Sequence, residues 1–114
     1  MAADQLLFTY GTLQQSEVQL DTFGRMPLAE ADALPGYRVS YAEIDDPRVV
    51  EVSGLAVHPI VTATGDPRDK VTGSVLLISD DELEAADEYE VALYVRTAAV
   101  LSSGRTAWVY VSVR

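Results

Sequence analysis

The sequence predicts an α+β fold in which a small mixed β-barrel or strongly curved sheet carries two short helices. Three observations lead there. β-type apolar runs recur at Leu6–Tyr10, Val71–Ile78, Val95–Leu101 and Thr106–Val113. Two helix-start signals, Ser16-Glu17-Val18-Gln19 and Ser79-Asp80-Asp81-Glu82, place Gln or Glu three residues after Ser. The length of 114 residues supports one core and no more, so residues 1–114 are expected to form a single domain.

Leu6 to Tyr10 reads as the first strand, with Phe8 and Tyr10 on one face and Leu7 and Thr9 on the other, so both faces are expected to be covered. The strand runs straight into Gly11. Lacking a Cβ, Gly11 lets the chain turn sharply and lets its amide, with those of Thr12 and Leu13, face a ligand oxygen; the alternative is an ordinary strand-ending turn. Ser16 then opens a short helix with Leu20 and Phe23 as its apolar face and Gly24 as its stop. Leu28 to Leu34 alternates as a strand up to the Pro35-Gly36 turn, and Tyr37 to Ile44 is expected to return as its partner.

Asp45-Asp46-Pro47 ends that strand. Val49 to Val61, interrupted by Gly54 and Pro59, reads as one or two short strands with a bend. Thr64 to Asp69 is a polar, exposed loop. Val71 to Ile78, the most apolar run, is expected to be central and shielded on both faces. A helix starts at Asp80 with acids at the positive end of its dipole. Val95–Leu101 and Thr106–Val113, joined through Ser102-Ser103-Gly104-Arg105, form a closing hairpin.

Composition excludes several classes of function. A formal net charge of -10 with only eight Lys and Arg argues against a nucleic-acid partner and means that an anionic ligand needs local backbone amides or a specific Arg. No run is long enough to span a membrane, and the start lacks the basic-then-apolar pattern of a signal peptide, so a cytoplasmic protein with no membrane partner is expected. The absence of cysteine removes disulfides, thiolate metal ligands and a cysteine nucleophile. His58, the one histidine, precedes Pro59 with no spacing suited to zinc or a catalytic triad, and no metal site is expected. There is no nucleophile elbow, phosphate-binding loop or dinucleotide fingerprint.

The helix after Asp80 holds the most informative pattern. At roughly 100° per residue, Leu83, Ala86 and Glu90 share one stripe with Asp87 at its edge, while Glu84 and Glu88 project to solvent. Glu90 thus falls among core positions near the negative end of the helix dipole. Both surroundings should raise its pKa and suit it to general acid and base work. The competing reading pairs Glu90 with Arg96 or Arg38 as a structural ion pair. Asp87 is expected to support or to be exposed, and Tyr94 and Tyr110 either send hydroxyls into a cavity or serve as amphipathic core.

Tyr10-Gly11-Thr12-Leu13, followed much later by Asp87-Glu88-Tyr89-Glu90 and Tyr94-Val95-Arg96, and closed by Ala107-Trp108-Val109-Tyr110-Val111, resembles the gamma-glutamylcyclotransferase-like family, also called avirulence-induced-gene-like proteins, over nearly the whole chain. The resemblance implies a small mixed barrel with a cavity between the first motif and the acidic residue. It implies intramolecular acyl transfer on a small-molecule gamma-glutamyl substrate: the substrate's α-amine attacks its own γ-amide carbonyl, releasing an amine and 5-oxoproline. Glu90 is then the catalytic residue, and Tyr10, Gly11, Thr12, Leu13, Tyr94 and Tyr110 bind substrate. No cofactor is implied, because the nucleophile is the substrate itself. Whether the Gly11 turn holds a carboxylate or an oxyanion stays open, as does a non-catalytic module binding a small metabolite or a protein on the same fold. Only Val91, Ala92 and Leu93 separate Glu90 from Tyr94, where many relatives carry a longer segment with Gly or Pro.

Overall fold

The computed structural model describes residues 4–43, 57–89 and 94–112. These form seven strands, two α-helices and one 3-10 turn. In chain order they are β1 (Gln5–Thr9), the 3-10 turn (Thr12–Gln14), α1 (Ser16–Phe23), β2 (Leu28–Pro35), β3 (Tyr37–Glu43), β4 (Val57–Ala63), β5 (Lys70–Ile78), α2 (Asp80–Tyr89), β6 (Tyr94–Val100) and β7 (Thr106–Ser112). A five-stranded sheet of order β2-β5-β1-β7-β6 is mixed, with β1 and β7 parallel and the other neighbours antiparallel. β3 and β4 form a second, antiparallel pair. The mixed, curled sheet with two helices is the expected fold.

Alternation along β1 divides the core in two. Leu7 faces Leu76, Ile78, Leu13, Val18, Leu83 and Ala86, so the helices cover this side of the sheet. Phe8 faces Val75, Leu34, Val61, Leu101 and Val109 on the opposite side, where β4 supplies Val61. Leu76 and Ile78 are fully enclosed on the helix side and Val75 nearly so on the other, which is the two-sided shielding foreseen for the most apolar run.

The sheet curls until its ends meet at one corner. Ser102 N donates to Ala33 O at 2.8 Å, bringing the β6–β7 turn onto β2. Asp32 lies beneath that contact. Its carboxylate accepts Ala33 N at 2.8 Å, Ser103 Oγ at 2.6 Å and Arg105 Nη2 at 2.9 Å, while Arg105 Nη1 also reaches Glu30 at 2.9 Å. Burial alone would raise the Asp32 carboxyl, but the donors from Ser103, Ala33 and Arg105 together outweigh it and hold the pKa below its ordinary value.

Of the two expected capping boxes, only the second forms. Ser79 N donates to Glu82 Oε1 at 2.9 Å and Glu82 N to Ser79 Oγ at 3.2 Å. Arg25 then clamps the same Glu82 through two bonds of 2.7 Å, and this pairing lowers the Glu82 pKa. In α1 the cap is Gln15, with no side-chain bond, because Ser16 is already helical where the chain leaves the 3-10 turn. The expected apolar face also shifts: Val18 and Gln19 are buried and Phe23 packs behind them, while Leu20 is 48% exposed. Gly24 ends the helix at φ 75°, as its stop signal required.

Two further expectations are corrected. β2 and β3 are not hairpin partners; β2 pairs with β5, and β3 with β4. Only Gly36 lies between them, at φ 80°, too short a link for a two-residue hairpin loop. Gly36 N donates to Asp69 O and Gly36 O accepts Thr64 N, so the β4–β5 loop fixes a corner between the two sheets. Nor does Pro59 interrupt its strand: β4 runs through it in register with Tyr41. Ile44, the turn at Asp45-Asp46-Pro47 and the stretch up to Gly54 lie outside the described residues. Among the described residues no helix is long and apolar enough to cross a membrane.

Candidate active site

Four segments converge at the open end of the curled sheet, away from the Ser102–Ala33 corner. β1 and β7 run parallel, so their C-terminal ends lie side by side; β6 runs antiparallel to β7, so its first residues join them. The Gly11 turn continues from β1, and α2 reaches Tyr89 shortly before β6 starts at Tyr94. Topology thus gathers the residues singled out in the sequence. Glu90 lies outside the described residues; Asp87 and Tyr89, just before it, lie within them.

The turn is tightly held. Gly11 has φ -127° and ψ -138°, so its φ stays in the range open to any residue. Gln14 N donates to Gly11 O at 3.1 Å and Gln15 N to Thr12 O at 2.9 Å. The buried Gln19 amide donates to Leu13 O at 2.8 Å, which explains why a glutamine occupies a core position of α1. The Tyr10 hydroxyl donates to Tyr110 O at 2.6 Å. Thr12 Oγ1, itself buried, meets the Tyr89 hydroxyl at 2.7 Å across 77 positions of sequence. With the carbonyls engaged, the amides of Gly11, Thr12 and Leu13 meet no acceptor among the described residues.

Tyr94 and Tyr110 lie on the helix side of the sheet, edge-on to each other with ring centroids 6.4 Å apart. The Tyr110 hydroxyl donates to Asp87 Oδ1 at 2.7 Å, and Arg96 Nη1 lies 3.5 Å from Asp87 Oδ2. The Arg96 guanidinium also sits 4.6 Å from the centre of the Trp108 ring. Asp87 therefore supports the strand pair from the end of α2. Arg96 and Arg38, the two cations offered as partners for Glu90, stand beside Asp87 and Asp69 respectively.

On the other face a cleft of about 410 Å³ opens between β3–β4 and β6–β7, lined by Tyr37, Val61, Thr62, Ala63, Val95, Arg96, Thr97 and Val111. The volume suits a small organic ligand. Tyr10, whose hydroxyl reaches Tyr110 O, and Val111, which lines the cleft, pack against the same side of the core, so the cleft lies on the Tyr10 side of the sheet. Of these lining residues the sequence had offered only Arg96 as an interacting side chain, and for another role; Val95 and Val111 stood in the family motifs with no role of their own. They come from four strands, and no local pattern announces their meeting.

Residues 7–114 match the family described as gamma-glutamyl cyclotransferase, AIG2-like. Among solved structures, the solution structure of an Arabidopsis thaliana protein aligns with a TM-score of 0.75 at 21% identity, covering 96% of this chain and 69% of that one. An uncharacterized Homo sapiens protein aligns at 0.72 with 17% identity, over 98% and 68%. A gamma-glutamyl cyclotransferase aligns at 0.67 with 15% identity, over 96% and 67%. At these identities the likeness establishes the fold, and the chain spans about two thirds of the length of each relative. No curated protein matches the chain in sequence. The family match covers nearly the whole chain and agrees with the curled sheet, its two helices and the turn after β1: the chain belongs to the gamma-glutamyl cyclotransferase, AIG2-like family.

Proposed function

We propose that the protein is a cyclotransferase that closes a gamma-glutamyl amide into 5-oxoproline and releases the amine. The observation that carries this reading is the 2.7 Å contact between Thr12 Oγ1 and the Tyr89 hydroxyl, which holds the Gly11 turn against the helix end immediately before Glu90. Membership of the family supports the reaction class.

The reaction asks little of the protein beyond folding the substrate and moving one proton. The substrate's α-amine forms a bond to its γ-carbonyl carbon, and the bond from that carbon to the departing nitrogen breaks. The α-ammonium first gives one proton to solvent to become the attacking amine; Glu90 takes the second proton, which that nitrogen loses as the ring closes, and passes it to the departing nitrogen, so one carboxyl serves both steps. The amides of Gly11, Thr12 and Leu13 hold an anionic oxygen of the substrate, and Tyr10 borders them. Tyr110, bonded to Asp87, and Tyr94, edge-on to it, border the site from the helix side and fix the strand ends around it.

Incubation with gamma-glutamyl amino acids, gamma-glutamyl amines and glutathione, followed by chromatography for 5-oxoproline, tests the proposal. Release of 5-oxoproline from any of them supports it. Binding without release in every case would leave a binding module on the same fold.

A further inference from the structure

We infer that the cleft between β3–β4 and β6–β7 receives the departing amine, and that the amine it selects is apolar and uncharged. This rests on the cyclotransferase reading and adds the class of leaving group. The cleft lies on the side of the sheet where Tyr10 leads into the Gly11 turn, so a substrate whose glutamyl half lies at the turn extends its other half along Val111, Val95 and Val61. Those walls are hydrocarbon, with Tyr37 and Ala63 continuing them.

Charge decides between the candidate amines. Although the chain carries 18 acids, none is among the described residues that line the cleft, so a cationic amine finds no counter-charge on those walls. The lining cation, Arg96, has its guanidinium between Asp87 and the Trp108 ring. That pairing lies on the helix side of the sheet, the face opposite the cleft, so among the described residues the carboxylate of an amino-acid leaving group finds no cationic head group on these walls. A neutral hydrocarbon amine meets neither cost and gains by leaving water. The two threonines, Thr62 and Thr97, can satisfy the amide nitrogen or water beside it without selecting charge.

Four gamma-glutamyl conjugates of graded chemistry test the inference: the methylamide, the isopentylamide, the leucine conjugate and the mono-cadaverine conjugate. Wild type is expected to turn over the isopentylamide with kcat/KM at least about tenfold above each of the other three, in keeping with several buried methylenes. Val95→Asp, at a half-exposed position where a charge is tolerated, is expected to lower the ratio of isopentylamide to cadaverine rates at least about tenfold. Because this is a ratio within one preparation, partial unfolding does not mimic it. Turnover of the methylamide with the leucine or cadaverine conjugate equal to or above the isopentylamide overturns the inference alone. An unchanged ratio in the variant overturns it as well. No turnover of any conjugate removes the cyclotransferase reading, and the inference with it.

Discussion

Tyr89 joins the Gly11 turn to the helix end through its hydroxyl, so Tyr89→Phe keeps the ring and removes the 2.7 Å contact with Thr12. The expected loss of stability is about 1 kcal/mol in urea unfolding, with a larger proportional loss in turnover if the turn binds substrate. A loss in stability with unchanged kcat/KM would reduce the contact to a structural one. At Gly73, in the middle of β5, a Cβ would collide with the Thr9 carbonyl oxygen and lie 2.9 Å from Phe8 Cζ. Gly73→Ala is expected to cost about 2 kcal/mol or more, read as a lower urea midpoint. Both residues show where sequence reasoning stops. Helical spacing correctly selected Leu83 and Ala86 as buried, because burial follows a local period. It had no means of finding the Tyr89–Thr12 bond or the crowding at Gly73, which depend on partners dozens of residues away. For the same reason the sequence singled out Gly11 and passed over Gly73.

The two helix starts carry the same short signature and behave differently. Ser79→Ala removes a bond to Glu82 N and is expected to cost about 1 kcal/mol, whereas Ser16→Ala, where no side-chain cap exists, should change the urea midpoint little. Equal losses would contradict the observed caps. The signature marks a possible cap, but the path by which the chain enters the helix decides whether Ser is the cap or the first helical residue. Strands were legible from their apolar runs, and the β6–β7 hairpin from its connection. The β2–β3 pairing was not, because adjacency in sequence favours a hairpin while the hydrogen bonds at Gly36 go to the β4–β5 loop. Shielding of β5 on both faces also sets the outcome of Leu76→Asp: a charge placed at a fully enclosed position is expected to prevent folding, visible as loss of near-ultraviolet circular dichroism.

For the molecule as a whole, acid should open the corner where β2 meets the β6–β7 turn. The folded Asp32 pKa is lowered, so its contribution to stability is complete above the unfolded carboxyl value and is lost as pH falls through the folded one. Unfolding free energy measured against pH should therefore fall below about pH 4, and Asp32→Asn should flatten that acid limb; an unaltered limb would remove Asp32 as its source. This clasp escaped the sequence because Glu30, Asp32 and Arg105 are ordinary surface residues until the sheet curls. The family pattern, by contrast, was legible because its motifs keep their order along the chain, although they meet only at the open end of the fold. In the proposed reaction one carboxyl, Glu90, moves the proton in a cyclisation carried out at that end. The most direct measurement is the rate of 5-oxoproline release by Glu90→Gln, with folding checked by circular dichroism, on the best substrate of the wild type. An intact fold with turnover lowered at least about 100-fold is expected, with wild-type behaviour for Glu84→Gln and Glu88→Gln. Full turnover by a folded Glu90→Gln protein would contradict that role for Glu90.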